Sequence, residues 1–262
     1  MLNPEQLFSV RDKTILITGG SSGLGFMMAS GFLMAGARVY ITGRKSEQLE
    51  RARAELAPLG EVQAIQCDLG TSEGVAHLVG VLSDRETKLH ALFNNAGKSW
   101  GAPFSEYPDS AWDSLLKLNV HTPFALSQRL LPLLEAAATP QDPARIVNIG
   151  SVAGFINDDL NAFAYATSKA AVHRLTQHLA AELAPKNILV NAIAPGMFPS
   201  KMSAAIMRDE SWRSKSLAGI PLGRFGEAED IAGLAIYLCS RASSFMTGAI
   251  IPLDGGTIVS LN

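Results

Sequence analysis

Short, largely apolar runs rich in β-branched residues alternate along the chain with longer stretches of helical character. The runs predict strands at 14–18, 38–42, 62–66, 91–94, 145–149, 189–192 and 249–252. The stretches between them predict helices near 24–35, 46–57, 72–84, 110–135, 163–184 and 227–240. Most of these strands are apolar at successive positions rather than alternate ones, so both of their faces are buried. That predicts a seven-stranded parallel sheet with helices on both faces. Right-handed crossovers and a reversal of strand order beside the first strand make it a doubly wound α/β fold. No linker-like break and no solenoid-length repeat interrupts the rhythm, so residues 1–262 are expected to form a single domain.

One stretch departs from the pattern. From Pro195 to about Leu222 the chain mixes Met197, Phe198, Met202, Ile206, Met207 and Trp212 with Lys201, Arg208, Arg213 and Lys215. Loops this long are uncommon in compact domains unless they serve a function. Residues 196–222 are therefore expected to cover a substrate, although a pair of short, ordinarily packed helices would carry the same residues.

Composition narrows the class. With 47% hydrophobic and 18% charged residues, the chain of 262 residues can bury a large core, which excludes disorder. A net charge of −2 without a basic block excludes nucleic acid or an anionic membrane as the main partner. Cys67 and Cys239 are far apart, which indicates neither a disulfide framework nor a metal site. Residues 1–11 lack the apolar core of a secretion signal, and no run reaches membrane-spanning length. The cytoplasm is the expected compartment.

The stretch TGGSSGLG, from Thr18 to Gly25, fits two machines. Its middle matches G-x-S-x-G, the turn that presents a nucleophilic serine in hydrolases. That reading needs an oxyanion-binding loop from an earlier strand, and Ser21 follows the first strand. It also needs a histidine base, whereas His77, His90, His121, His173 and His178 fall mostly inside predicted helices, where packing or surface roles prevail. The alternative has its full context: a strand, a glycine turn, then a helix whose N-terminal amides suit a pyrophosphate. Gly19, Ser21, Ser22, Gly23, Leu24 and Gly25 are thus candidate cofactor contacts. At the end of the second strand, where NAD sites place an acid, the sequence reads Thr42-Gly43-Arg44-Lys45. A guanidinium clamps a 2′-phosphate that a carboxylate would repel, so Arg44 favours NADP(H) over NAD(H), unless it is only a solvated turn residue.

Tyr165 and Lys169 lie four apart in a helical stretch, on one face and one turn removed. An adjacent ammonium stabilises a phenolate, and lowering a tyrosine pKa by about two units takes only about 2.7 kcal/mol. The hydroxyl is then poised to give a proton to a carbonyl or take one from an alcohol. Ser151 follows the apolar run Arg145–Ile149, at the carboxyl end of a predicted strand. There its hydroxyl would hydrogen-bond a substrate carbonyl, or equally cap a turn.

Together, TGGSSGLG, Cys67-Asp68-Leu69, Asn94-Asn95-Ala96-Gly97, Asn119, Ser151, Tyr165-Ala-Thr-Ser-Lys169 and Pro195-Gly196 occur in the order found in the short-chain dehydrogenase/reductase family, which the chain resembles from about Lys13 to Gly256. The resemblance implies a Rossmann sheet and a catalytic tetrad of Asn119, Ser151, Tyr165 and Lys169. It implies that Lys169 also bonds the nicotinamide ribose and that Asn119 holds a water of a proton relay. Asp68, with Leu69, would meet the adenine edge, and Asn95, with Ala96 and Gly97 among the cofactor-binding residues, would secure the loop and strand beside the cofactor. Pro195 and Gly196 would flank the nicotinamide. Segments such as NNAGKSWGAPFSEYP and PARIVNIGSVAG resemble the NADPH-dependent 3-oxoacyl reductases, particularly the rhamnolipid-biosynthesis branch. A 3-oxoacyl thioester is the implied substrate; Asn157-Asp158-Asp159 would put acid near its path. Small cyclic, aromatic, steroid or sugar ketones stay open, as does a dinucleotide sensor without turnover, which would have no use for Tyr165 beside Lys169. The family's habit of pairing long helices, with Leu126, Leu130, Leu175 and Leu179 in surplus, implies a homotetramer or homodimer.

Overall fold

A computed structural model describes residues 3–157, 161–200 and 208–260. Met202, Asp158 and the other residues of 158–160 and 201–207, including Lys201, Ile206, Met207 and Asp159, lie outside the described residues. Seven strands, β1 (Thr14–Ile17), β2 (Arg38–Gly43), β3 (Val62–Gln66), β4 (Ala91–Asn94), β5 (Ala144–Ile149), β6 (Ile188–Pro195) and β7 (Ile250–Leu253), form one sheet in the order 3-2-1-4-5-6-7. Every pairing is parallel, from Thr14 beside Arg38 to Pro195 beside Leu253.

Alternate residues of each strand feed two separate cores, which is why the strands read as continuous apolar runs. Ile15, Ile17, Val39, Ile41 and Phe93 face one core, completed by helices α1 (Gly23–Met34), α2 (Ser46–Leu56) and, later in the chain, Ala228–Cys239. Leu16, Tyr40, Leu92, Ile146 and Val190 face the other. That second layer comprises α3 (Ser72–Arg85), α5 (Thr122–Arg129), α6 (Leu131–Ala137) and α7 (Phe163–Leu183), while α4 (Asp109–Leu116) sets Ala111 and Leu115 against Ala164 of α7 in a small cluster of their own. Each fully buried Leu or Ile contributes about 1.5–3 kcal/mol, so the doubled core supplies most of the driving force. After α8 (Glu210–Ala218), α9 (Ala228–Cys239) packs on α1, where a β-carbon at Gly31 would lie only 2.5 Å from that of Ala232. Sandwiched between sheet and α9, α1 is apolar on all sides rather than on one stripe.

Two expectations change. The helix predicted over 110–135 is three helices, with a π-helical turn at Lys117–His121 between the first two. Pro123 and Pro132 break it, because each lacks the amide that would donate to a carbonyl four residues back. For Pro123 that carbonyl is Asn119. The leucines taken as surplus are not surplus: Leu126 and Leu130 are wholly buried in the second core, Leu179 is buried there and Leu175 packs against it. They are used within the chain and give no ground for an interface.

Candidate active site

Strand order reverses beside β1, which lies between β2 and β4. The carboxyl ends of strands at such a reversal splay apart and leave a crevice. A cleft of about 480 Å³ opens there, walled by the loops that follow β1, β2, β3, β4, β5 and β6.

The loop after β1 is tied to β4. Thr18 Oγ1 donates to Phe93 O at 3.1 Å and accepts from the amides of Asn95 and Ala96, both at 2.9 Å. Asn95 Nδ2 returns two bonds, to Thr18 O at 2.7 Å and Gly19 O at 3.2 Å. Gly19 and Gly23 take φ values of 67° and 57°, a left-handed conformation that disfavours side chains. Gly25 serves otherwise: a β-carbon there would lie 2.6 Å from Asn95 Nδ2 and from Gly19 O. It lets helix and loop touch and does not line the cleft. Gly19, Ser21, Ser22, Gly23 and Leu24 do line it. Ser22 ends the loop without a side-chain bond to α1, leaving the first helical amides beside the cleft for an anion.

Arg44 and Lys45 stand exposed at the end of β2, also on the cleft. Among the described residues Arg44 has no ion pair; only its backbone oxygen is engaged, by Gln66 Nε2 at 3.1 Å. Asp68 is exposed on the wall and accepts from Gly70 N at 2.9 Å, with Leu69 buried beside it. Cys67 lines the same wall, but burial pushes its thiol up to about 11, so it is not a nucleophile at neutral pH.

β5 delivers Ser151 and α7 delivers Tyr165 and Lys169, all three on the cleft. The Lys169 ammonium is buried, donates to Ile149 O at 2.7 Å and lies 5.5 Å from the centre of the Tyr165 ring. Burial lowers it to about 8. Ser151 is both a cap and a wall residue: its Oγ accepts from Ala153 N at 3.2 Å, starting a short helical turn. That bond uses a lone pair, so the O–H remains able to donate.

Asn119 is placed differently. It sits in the π-helical turn behind the wall, its Nδ2 donating to Lys98 O at 2.9 Å and Ser168 Oγ at 3.0 Å. Its Oδ1 accepts from Lys98 N at 3.1 Å. It thereby pins the loop after β4, and Gly97 fits between it and Lys169: a β-carbon there would lie 3.2 Å from Asn119 Oδ1 and 3.8 Å from Lys169 Nζ. Ala96, Gly97 and Pro195 reach the cleft. Gly196 stays behind it, donating its amide to Leu253 O at 2.9 Å with Asp254 too close for any side chain.

Several residues on the wall were not among the expected site residues. Gln48 of α2 braces the first loop, donating to Ser21 O and Oγ at 3.2 Å each. Thr42 accepts from Gly19 N at 3.2 Å. Lys98, Leu118, Ile149, Gly150 and Ser200 also line the wall. Thr42 and Gly150 were findable from their places at strand ends, beside Arg44 and Ser151; Gln48, on a helix, was not.

A parallel sheet in this order, with a glycine loop at its reversal point and Ser151, Tyr165 and Lys169 gathered across from it, defines a nicotinamide-dependent oxidoreductase architecture. The chain belongs to the short-chain dehydrogenase/reductase family. Residues 19–257 match the family model described as enoyl-(acyl carrier protein) reductase. The chain is 45% identical over 249 residues to the rhamnolipids biosynthesis 3-oxoacyl-(acyl-carrier-protein) reductase of Pseudomonas aeruginosa, covering 95% of this chain and 97% of that protein. It is 33% identical to the 5-keto-D-gluconate 5-reductase of Escherichia coli, covering 97% and 99%. Among solved structures, the active-site complex of Pseudomonas aeruginosa RhlG with NADP superposes with a TM-score of 0.94 at 45% identity, covering 97% of this chain and 99% of that one.

Proposed function

We propose that the chain binds NADP(H) in this cleft and reduces the ketone of a 3-oxoacyl thioester to a secondary alcohol. The residues present fit the dinucleotide: Gly19 and Gly23 open the backbone, and the uncapped start of α1 suits its pyrophosphate. Arg44, exposed and without an ion pair among the described residues, suits a 2′-phosphate. When bound, the cofactor supplies the hydride. The chain's own residues handle charge and proton. Ser151 Oγ donates to the carbonyl oxygen, and Tyr165 gives that oxygen its phenolic proton as negative charge develops there. Lys169, at about 8, is mainly an ammonium at pH 7 and stabilises the phenolate left behind. With its side chain committed to Lys98 and Ser168, Asn119 serves a proton relay through its backbone carbonyl, to which Pro123 offers no amide.

The observation that carries this reading is Lys169, buried and 5.5 Å from the Tyr165 ring, on the same wall as Ser151. Support for an acyl substrate comes from the name of the Pseudomonas aeruginosa relative. It comes also from Trp100, Phe104 and Phe163, exposed apolar side chains that precede α7 or begin it. The test is NADPH consumption with 3-oxoacyl thioesters set against cyclic ketones and a keto-gluconate. Turnover of the thioester is expected, Tyr165→Phe should lower it by about 10²–10⁴-fold, and Arg44→Ala should raise the KM for NADPH while sparing NADH. A silent panel, a fully active Tyr165→Phe, or equal losses with both cofactors would overturn the corresponding part.

A further inference from the structure

We propose that Tyr107 is a positioning residue: its hydroxyl caps α7 from outside and ties the loop after β4 to the helical turn that carries Tyr165. This rests on the reading of Tyr165 as proton donor. The need for such a cap is written into α7 itself. A helix leaves its first amides without intrahelical partners, and a serine, threonine, aspartate or asparagine usually supplies the missing acceptor. The residue before α7 is Ala162, with no side-chain oxygen and a non-standard backbone conformation, φ −96° and ψ 51°. Tyr165 is the third residue of that helix, inside the turn most prone to fray.

Tyr107, 57 positions before Ala164 in the chain, takes the capping role. Its Oη accepts from Ala164 N at 3.1 Å and donates to Trp100 O at 3.2 Å, so both of its hydrogen-bonding capacities are used. The ring is held on its sides by Phe163, at 5.4 Å between centroids, and Trp112, at 6.2 Å, both edge-on. It shares a small apolar cluster with Ala164 and Tyr165. A second link runs in parallel, from Ala102 N to Asn161 O at 3.3 Å. The loop joined to α7 in this way is the one whose Lys98 backbone Asn119 holds on both its amide and its carbonyl. One hydroxyl therefore connects the wall beside Lys169 with the turn beneath Tyr165. The ring provides packing; the oxygen provides registration.

Tyr107→Phe separates the two, since it keeps the ring and removes only the oxygen. In the full chain, amide exchange over residues 163–166 should quicken about tenfold. The kcat for ketone reduction should fall by a similar factor, while NADPH affinity, read by fluorescence, stays within about twofold of the parent. Unchanged exchange overturns the cap. Quickened exchange with parental kcat overturns the positioning role. Parallel loss of kcat, NADPH affinity and melting temperature reduces Tyr107 to a general packing residue and overturns it too. If the parent reduces no ketone at all, the reductase reading fails on its own, and the exchange measurement still decides whether Tyr107 caps α7.

Discussion

Lys169 sets function against stability within a single side chain. Its ammonium is buried, with one backbone carbonyl as its hydrogen-bond partner among the described residues, and burial lowers it from 10.5 to about 8. In the unfolded chain the amine holds its proton up to about 10.5, whereas the folded chain releases it near 8. Between those values the unfolded state binds more protons, so stability rises with pH through that window. Below about 8 both states are protonated and the full burial cost is borne. Lys169→Met removes the charge and keeps the stem, so it should melt several degrees higher at pH 7 and lose the pH-dependent rise between about 8 and 10. Its turnover should fall by about 10²–10⁴-fold. A lower melting temperature at pH 7, or an unchanged slope above pH 8, would show that burial of the ammonium is not costly. That Lys169 shares a face with Tyr165 was legible from their spacing. Its bond to the Ile149 carbonyl was not, because Ile149 is contributed by a distant strand.

At the scale of elements, the turn after β5 is moulded on α7. A β-carbon at Gly150 would lie 2.3 Å from His173 Nε2, and one at Gly154 would lie 2.6 Å from its Cε1. Phe155 lies tilted against the same imidazole, with ring centres 4.6 Å apart and planes 37° from parallel. Ser151 is thus set between two glycines that rest on one histidine, four residues beyond Lys169 in the helix. The helical position of His173 pointed to packing rather than chemistry, and it packs; which turn it supports became visible only when β5 and α7 met. Burial, and then Lys169, lower it from 6.5 to about 4, and its Nε2 has no hydrogen-bond partner among the described residues. The neutral ring is what the fold accepts. Stability from this group is complete above about 6.5 and is lost as pH falls towards about 4, where the unfolded chain gains a proton that the folded chain refuses. Melting temperature should therefore decline less steeply from pH 6.5 to 4 in His173→Leu than in the parent. Equal slopes would assign the decline to carboxylates alone. The broken helix over 110–135 has a similar origin. Its apolar period was readable, and so were Pro123 and Pro132, but a period alone does not tell a continuous helix from three short ones that follow the same core.

Over the whole molecule the two ends of the sheet carry different burdens. The carboxyl ends of the strands open the cleft, and the amino ends are held by a buried cationic network that no motif announced. Arg145, at the start of β5 and 1% exposed, donates through Nε to Leu238 O at 3.1 Å and through Nη2 to Ser240 O at 2.8 Å. Lys13, just before β1, donates to Cys239 O at 2.9 Å and to Asp142 Oδ1 at 2.7 Å. Both cations sit at the carbonyl end of α9, where the helix dipole is negative. They fasten the last helix to the first and fifth strands. Burial lowers the Arg145 pKa, so the guanidinium is held there at a cost, and methionine would relieve that cost. Two effects oppose the relief. Charge-assisted bonds to two carbonyls contribute about 1.5–3 kcal/mol each before desolvation, and methionine underfills the space of a side chain enclosed on all sides. Ser243 Oγ, with one proton to give, lies 3.0 Å from Leu238 O and 3.2 Å from Ser240 O, and the Ser243 amide donates to Ser240 O at 3.5 Å, so neither carbonyl is left orphaned and the net loss is moderate. Arg145→Met should cost about 2 kcal/mol, lowering the melting temperature by about 4–8 °C. NADPH affinity should hold, because the change lies at the opposite end of the strands from the cleft. An unchanged melting temperature would show that α9 is held by its apolar face alone, and a parallel loss of NADPH affinity would show that the two ends of the sheet are not independent.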